Sequence, residues 1–171
     1  EEGNLIIIGS KDEKLFTPEK FSAWSQMMQD LGKNQSVDLV LSIDNLQQLQ
    51  KNDSLQTFEM KPFIESKKTK DQKYLTSKVE ELRTQLPFYE GLLFNKQSGT
   101  IRGAVYLKKN IVNTAERKDF VLDILNPAIS KFETDQKIDL HVSGMPYIRT
   151  MSTETIKGEI GLFIGASLLL T

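Results

Sequence analysis

Two stretches of the chain, residues 5–43 and 101–143, carry the same order of patterns: an apolar run, a helical apolar stripe and a second strand-like run. A strand–helix–strand unit that occurs twice restricts the fold to a sheet with helices laid over it, because each helix must bury its stripe against the strands that flank it. In the first unit Leu5 to Ile8 reads as a buried strand closed by Gly9. Thr17 as cap, Pro18 at the first helical position and Phe16 with Phe21 as a hydrophobic staple mark a helix start. Phe21, Trp24, Met27, Met28 and Leu31 form its stripe, and Gly32 sits where a left-handed C-terminal residue is wanted. Val37 to Ile43 follows as a strand, apolar at 37, 39, 41 and 43 and also at Val40.

In the second unit Ile101 to Leu107 is expected to pair with Leu92–Phe94 as a hairpin across Asn95–Gly99. Asn113 or Thr114 with Glu116 caps the next helix, whose stripe runs through Phe120, Val121, Ile124, Leu125, Ile129 and Phe132 and should kink at Pro127. Ile138, Leu140 and Val142 alternate with Asp139, His141 and Ser143 in the last strand, which Gly144-Met145-Pro146 ends. Residues 44–86 form a polar insertion between the units. Its first part, 44–68, has isolated apolar residues such as Leu46, Leu49, Leu55, Phe58 and Phe63 but no sustained period, and reads as irregular with room for one short helix. Thr69 and Gln72 resemble a capping box that opens a helix through Leu75, Val79, Leu82 and Leu86, stopped by Pro87. The expected class is α+β: a ferredoxin-like split βαβ sandwich with helices on one face of a mainly antiparallel sheet.

Composition narrows the function. At 171 residues and 39% hydrophobic the chain is long enough for one sizeable core. With 22 basic and 23 acidic residues it carries a net charge of −1, which offers no field for gripping nucleic acid. No cysteine and a single histidine exclude a thiolate site, a disulfide framework and a histidine cluster, so no metal and no cofactor is expected. The glycines form no phosphate cradle, and Ser143 lacks the spacing of a nucleophile elbow. Asp139 and His141 share one strand face as a conceivable acid–base pair, the sole hint of a small hydrolase, and the expectation is a non-enzyme.

The C-terminal end is the most informative segment. Ile160 to Thr171 reads IGLFIGASLLLT, twelve uncharged residues. As a helix these cover about 18 Å, against about 30 Å of bilayer core, so the tract reads as the truncated start of a transmembrane helix, with Lys157 and Glu159 at the water interface. Gly158, Gly161 and Gly165 would each cost a helix in water roughly 1 kcal/mol, but suit small-residue packing between helices in lipid. Leu162–Ile164 and Leu168–Leu170 leave no polar face for docking on a sheet. The expected division is a domain over 1–146 and a connecting helix with the start of a span over 147–171.

The order of these motifs resembles the extracytoplasmic loop between the first two membrane helices of RND-superfamily exporters of the MMPL or Patched-like kind. Glu1-Glu2-Gly3-Asn4-Leu5-Ile6-Ile7 is similar to the family's entry strand, and Val37 to Asn45 to its second strand and turn. Gly91–Asn95 with Ser98–Ile101 is similar to its hairpin, and His141–Pro146 to the strand and Gly-x-Pro turn ahead of the second membrane span. The resemblance implies a porter domain of a gradient-driven exporter of lipids or other hydrophobic compounds, in a bacterial inner membrane with this segment in the periplasm. It implies a hydrophobic substrate, the membrane, reached through flanking spans, and an oligomer in some relatives as partners. Gly144 and Pro146 become the turn from domain to membrane. A membrane-tethered protein-binding module is the alternative.

Overall fold

The computed structural model describes residues 2–52 and 56–169, the side chains at 2, 52, 165, 166, 168 and 169 excepted. Leu55 and Leu170 fall outside the described residues, as do the surroundings of Gly165, Leu168 and Leu169. The chain is a mixed α+β structure with a mainly antiparallel sheet. Strand β1 (Leu5–Ser10) leads to helix α1 (Pro18–Gly32) and strand β2 (Val37–Leu41). A hairpin of β3 (Gln47–Asn52) and β4 (Thr57–Pro62) follows, then helix α2 (Gln72–Gln85). The second unit is β5 (Ile101–Leu107), a helical tract of α3 (Ala115–Asp119), a π-helical turn (Phe120–Leu125) and α4 (Asn126–Gln136), and β6 (His141–Ser143). Helix α5 (Met145–Leu169) ends the described chain.

Four strands form one sheet in the order β2-β5-β1-β6, each antiparallel to its neighbour. Strands β1 and β2 therefore run parallel with β5 inserted between them, and β5 and β6 run parallel with β1 between them. Cross-strand partners share a face. Val40, Val105 and Ile6 form one row on the inner face, and Gly103, Ile8 and Val142 form the next. Helix α1 seats on this face so closely that a Cβ on Gly103 would strike the Met28 side chain and come within 3.2 Å of the Trp24 ring. Trp24 meets Phe132 of α4 edge to face at 6.1 Å and donates its indole N–H to Ser42 Oγ at 2.9 Å, so the buried nitrogen has a partner.

Helix α1 begins as its sequence demands, with Thr17 at the cap, Pro18 behind it and the Phe16 and Phe21 rings 6.1 Å apart. Its end differs from expectation. Gly32 is the last helical residue rather than a left-handed cap, and a Cβ there would only touch Val40 Cγ2 at an ordinary contact distance of 3.4 Å. The left-handed cap occurs instead at Lys137, after α4, with φ 54°. Strand β2 also departs from simple alternation: the ladder shifts between Val37 and Leu39, so Val37 and Val40 both face the core and Leu39 is left 53% exposed.

Four further expectations are corrected. The 44–68 stretch is not irregular but holds the β3–β4 hairpin. Helix α2 is capped by Asp71, whose Oδ1 accepts from Lys73 N at 2.8 Å, while Gln72 reaches away to the Phe16 carbonyl at 2.9 Å, so the Thr69/Gln72 box is not formed. Leu92–Phe94 is not a regular strand, because Leu92 N and Leu93 N both donate to Tyr89 O and coil its start, but the expected antiparallel contact across Asn95–Gly99 is present in short form: Arg102 N donates to Leu93 O at 2.7 Å, Asn95 N donates to Thr100 O at 2.9 Å, and Phe94 bridges to Ile101. The strand expected over 138–143 is ladder-paired over His141–Ser143 alone. Pro127 acts as expected of a residue that removes a helical donor, and the disruption takes the form of the π turn, where Asn126 N–H reaches back to Val121 O.

Candidate functional site

The residues that set α5 on the body form the best-defined polar cluster of the second unit. Gly144 turns the chain from β6 into α5 with φ +117°, a conformation that side chains with a Cβ rarely adopt. A Cβ there would also collide with the Leu5 carbonyl, so position and turn both require glycine. Pro146 is buried in the first turn, Ile148 N bonds to Gly144 O at 3.0 Å, and buried Thr150 donates to Pro146 O at 2.9 Å.

From there the start of the α3 tract grips the helix. Arg117 donates through Nη1 to the Val112 carbonyl at 2.8 Å and through Nε to Thr150 Oγ1 at 3.3 Å. Arg149 reaches Asn113 Oδ1 at 3.3 Å, and Asn126 lies 3.6 Å from Met151 Sδ. One turn on, Glu154 pairs with Lys118 at 3.0 Å and with Lys157 at 3.1 Å. The Lys118 hydrogen bond, followed by that of Lys157, lowers the Glu154 pKa below the ordinary carboxylate value, and Glu154 in turn raises that of Lys118.

Beyond Glu154 the helix leaves the body. Every described side chain from Thr155 to Ile164 is exposed, including Ile156, Ile160, Leu162, Phe163 and Ile164, with Phe163 at 77%. A methyl group added at Gly158 or Gly161 would meet no atom within 4 Å, so neither glycine packs on anything described. No helix among the described residues is long and apolar enough to cross a membrane.

The outer face of the sheet is largely apolar and partly covered, with Leu39 exposed and Ala104 fully buried. One cross-strand row joins Leu39, Tyr106 and Leu5, and the next joins Leu41, Ala104, Ile7 and Ser143. Leu5, Ile7, Leu41 and Tyr106 are half-buried. At the α5 end Leu92, Met145 and Ile148 join Leu5 and Ile7 around a depression of about 530 Å³. Asp139 and His141 are exposed; His141 borders a shallow polar depression with Glu133 and Ser130, which Asp139 does not line. Among the described residues no three histidine or acidic side chains group as a metal site.

Comparison with protein-family models, with curated proteins and with solved structures finds no match for this chain. Geometry alone therefore ranks the candidates. Gly144 ends β6 and Pro146 lies in the first turn of α5. Gly158 and Gly161 share the projecting half of α5, while the outer face and the clamp of Arg117, Lys118, Thr150 and Glu154 were not foreseen. The clamp has no sequence signature, since its members are ordinary polar residue types that pair across 33 positions for Arg117 and Thr150 and 36 for Lys118 and Glu154. The outer face was half visible in the alternation of Leu39 and Leu41, which only the register of β5 turns away from α1.

Proposed function

We propose that this chain adopts the ferredoxin-like split βαβ arrangement and serves as an extracytoplasmic substrate-path domain of a gradient-driven RND-type exporter for lipids or other hydrophobic compounds. The observation that carries the reading is the projecting half of α5. Ile160, Leu162, Phe163 and Ile164 point in several directions around the helix and contact none of the core. A short isolated helix is marginal in water, and glycines weaken it further, so such a segment needs another apolar medium. In this reading it continues into a transmembrane helix, with Lys157 and Glu159 at the interface and Gly158, Gly161 and Gly165 facing neighbouring helices.

Two further features support it. The sheet order, in which each crossover returns past one intervening strand, supports the split βαβ arrangement. The outer rows from Leu39 to Leu5 and from Leu41 to Ile7 give an apolar wall beside the α5 turn, suited to a hydrophobic compound passing outside the membrane. The domain itself performs no chemistry in this scheme. It shapes a path, and α5 with its clamp transmits movement between membrane and sheet.

The test is loss of export. Deleting the parent gene should make cells retain a fluorescent hydrophobic dye or accumulate a lipid that wild type releases, and the intact gene should restore release. An unchanged lipid profile and unchanged dye retention would contradict the proposal.

A further inference from the structure

We infer that the β3–β4 hairpin is a dimerisation arm, and that the free edge of β4 pairs antiparallel with the same edge of a second copy of this chain, centred on Met60. The inference concerns the hairpin alone and does not rest on the exporter reading.

The hairpin forms its own two-stranded sheet, and no other described strand pairs with it. One of its faces carries Leu49, Phe58 and Met60, exposed at 62%, 66% and 63%. A two-stranded hairpin alone is marginal in water, and an exposed edge is a template for another strand. At its base, buried Leu46, Phe63 and Ile64 root the arm in the core.

The parity of the ladder fixes what the edge offers. Phe63 N donates to Leu46 O at 2.8 Å, and the register pairs Lys61 with Gln48 and Glu59 with Gln50. By antiparallel alternation, 57, 59, 61 and 63 bond inward to β3, whereas 58, 60 and 62 turn their backbone groups outward. Pro62, which has no N–H, sits at an outward position where its absence costs β3 nothing.

Self-pairing about Met60 then makes both bonds between Met60 and the partner's Met60. The Phe58 N–H meets the carbonyl of the partner's Pro62, and the reciprocal contact repeats this. On the polar face Glu59 lies opposite the partner's Lys61, and Lys61 opposite the partner's Glu59. The Glu59–Lys61 separation within one chain is 3.7 Å, so both groups already lie on the same side of the strand. A slip to either neighbouring register of the same parity sets Glu59 against the partner's Glu59, or Lys61 against the partner's Lys61, and like charges directly opposite are unfavourable. Charge thus selects one register. The apolar face doubles in that arrangement, stacking Phe58 on the partner's Pro62 beside the two Met60 side chains.

The test is sedimentation equilibrium of the full chain in a mild detergent that covers the end of α5. The expected mass is twice that of the 19.5 kDa chain. Glu59→Lys alone and Lys61→Glu alone should each weaken the dimer by about tenfold or more, because two favourable cross-strand pairs become two repulsive ones. Mixing the two single variants, or combining both changes in one chain, should restore it. Both positions lie on the hairpin surface, and circular dichroism checks that each variant is folded. A monomer at all concentrations, or a dimer indifferent to both swaps, would overturn the inference.

Discussion

Gly144 is the residue at which backbone and packing constraints coincide. Its φ of +117° and the collision of any Cβ with the Leu5 carbonyl act together, so Gly144→Ala should lower stability by about 2 kcal/mol or more. A drop in the urea midpoint checks this. Gly158 is the opposite case, open on all sides, and Gly158→Ala should strengthen the helix in water by roughly 1 kcal/mol, read from amide exchange across 155–161. In the core, Trp24→Phe leaves the buried Ser42 hydroxyl without its indole donor and should cost about 1–3 kcal/mol by chemical denaturation. Each of these residues announces itself differently in sequence. Trp24 lies on an evident stripe and Gly144 in an evident turn, whereas the closeness of Leu5 O to Gly144 depends on β1 pairing with β6, which no local pattern encodes.

At the scale of elements, the Glu154 clamp ties α5 to the α3 tract. Its folded-state pKa is lowered, so the stabilisation is present above the unfolded carboxylate value, which is near 4.5, and is lost as pH falls through the lower folded value. Amide protection of residues 150–157 should therefore decline on acidification through and below that range, and Glu154→Gln should show low protection with little dependence on pH there. Protection in Glu154→Gln equal to wild type at neutral pH would contradict the clamp. The elements that sequence revealed were those that bury a stripe: β1, α1, α2, β5, and the tract from α3 to α4. Those it concealed bury little. Strand β3, QQLQKN, alternates weakly because the hairpin does not pack on the core, and Leu39 defeats alternation because of the irregularity in β2. The π turn shows that a proline within a helical stripe predicts a disruption but not its form.

The whole molecule exposes 10685 Å² of accessible surface, against about 8,500 Å² expected of a compact monomer of 19.5 kDa. The excess is consistent with the two features that stand away from the core, the hairpin and the second half of α5. The sequence signalled α5 plainly, through twelve uncharged residues interrupted by glycine, and the hairpin not at all. Both leave apolar side chains without cover, and we propose a different fate for each: a second copy of the chain for Phe58 and Met60, a bilayer for Ile160 to Ile164. The most direct measurement is labelling of single cysteines, placed one at a time from Glu154 to Ile164 in a cysteine-free parent protein, with a membrane-impermeant maleimide on cells with a permeabilised outer membrane. Labelling should occur up to Lys157, fall across 158 and 159, and give way from Ile160 onward to protection that detergent removes. Uniform labelling through Ile164 would contradict the claim that α5 enters the membrane.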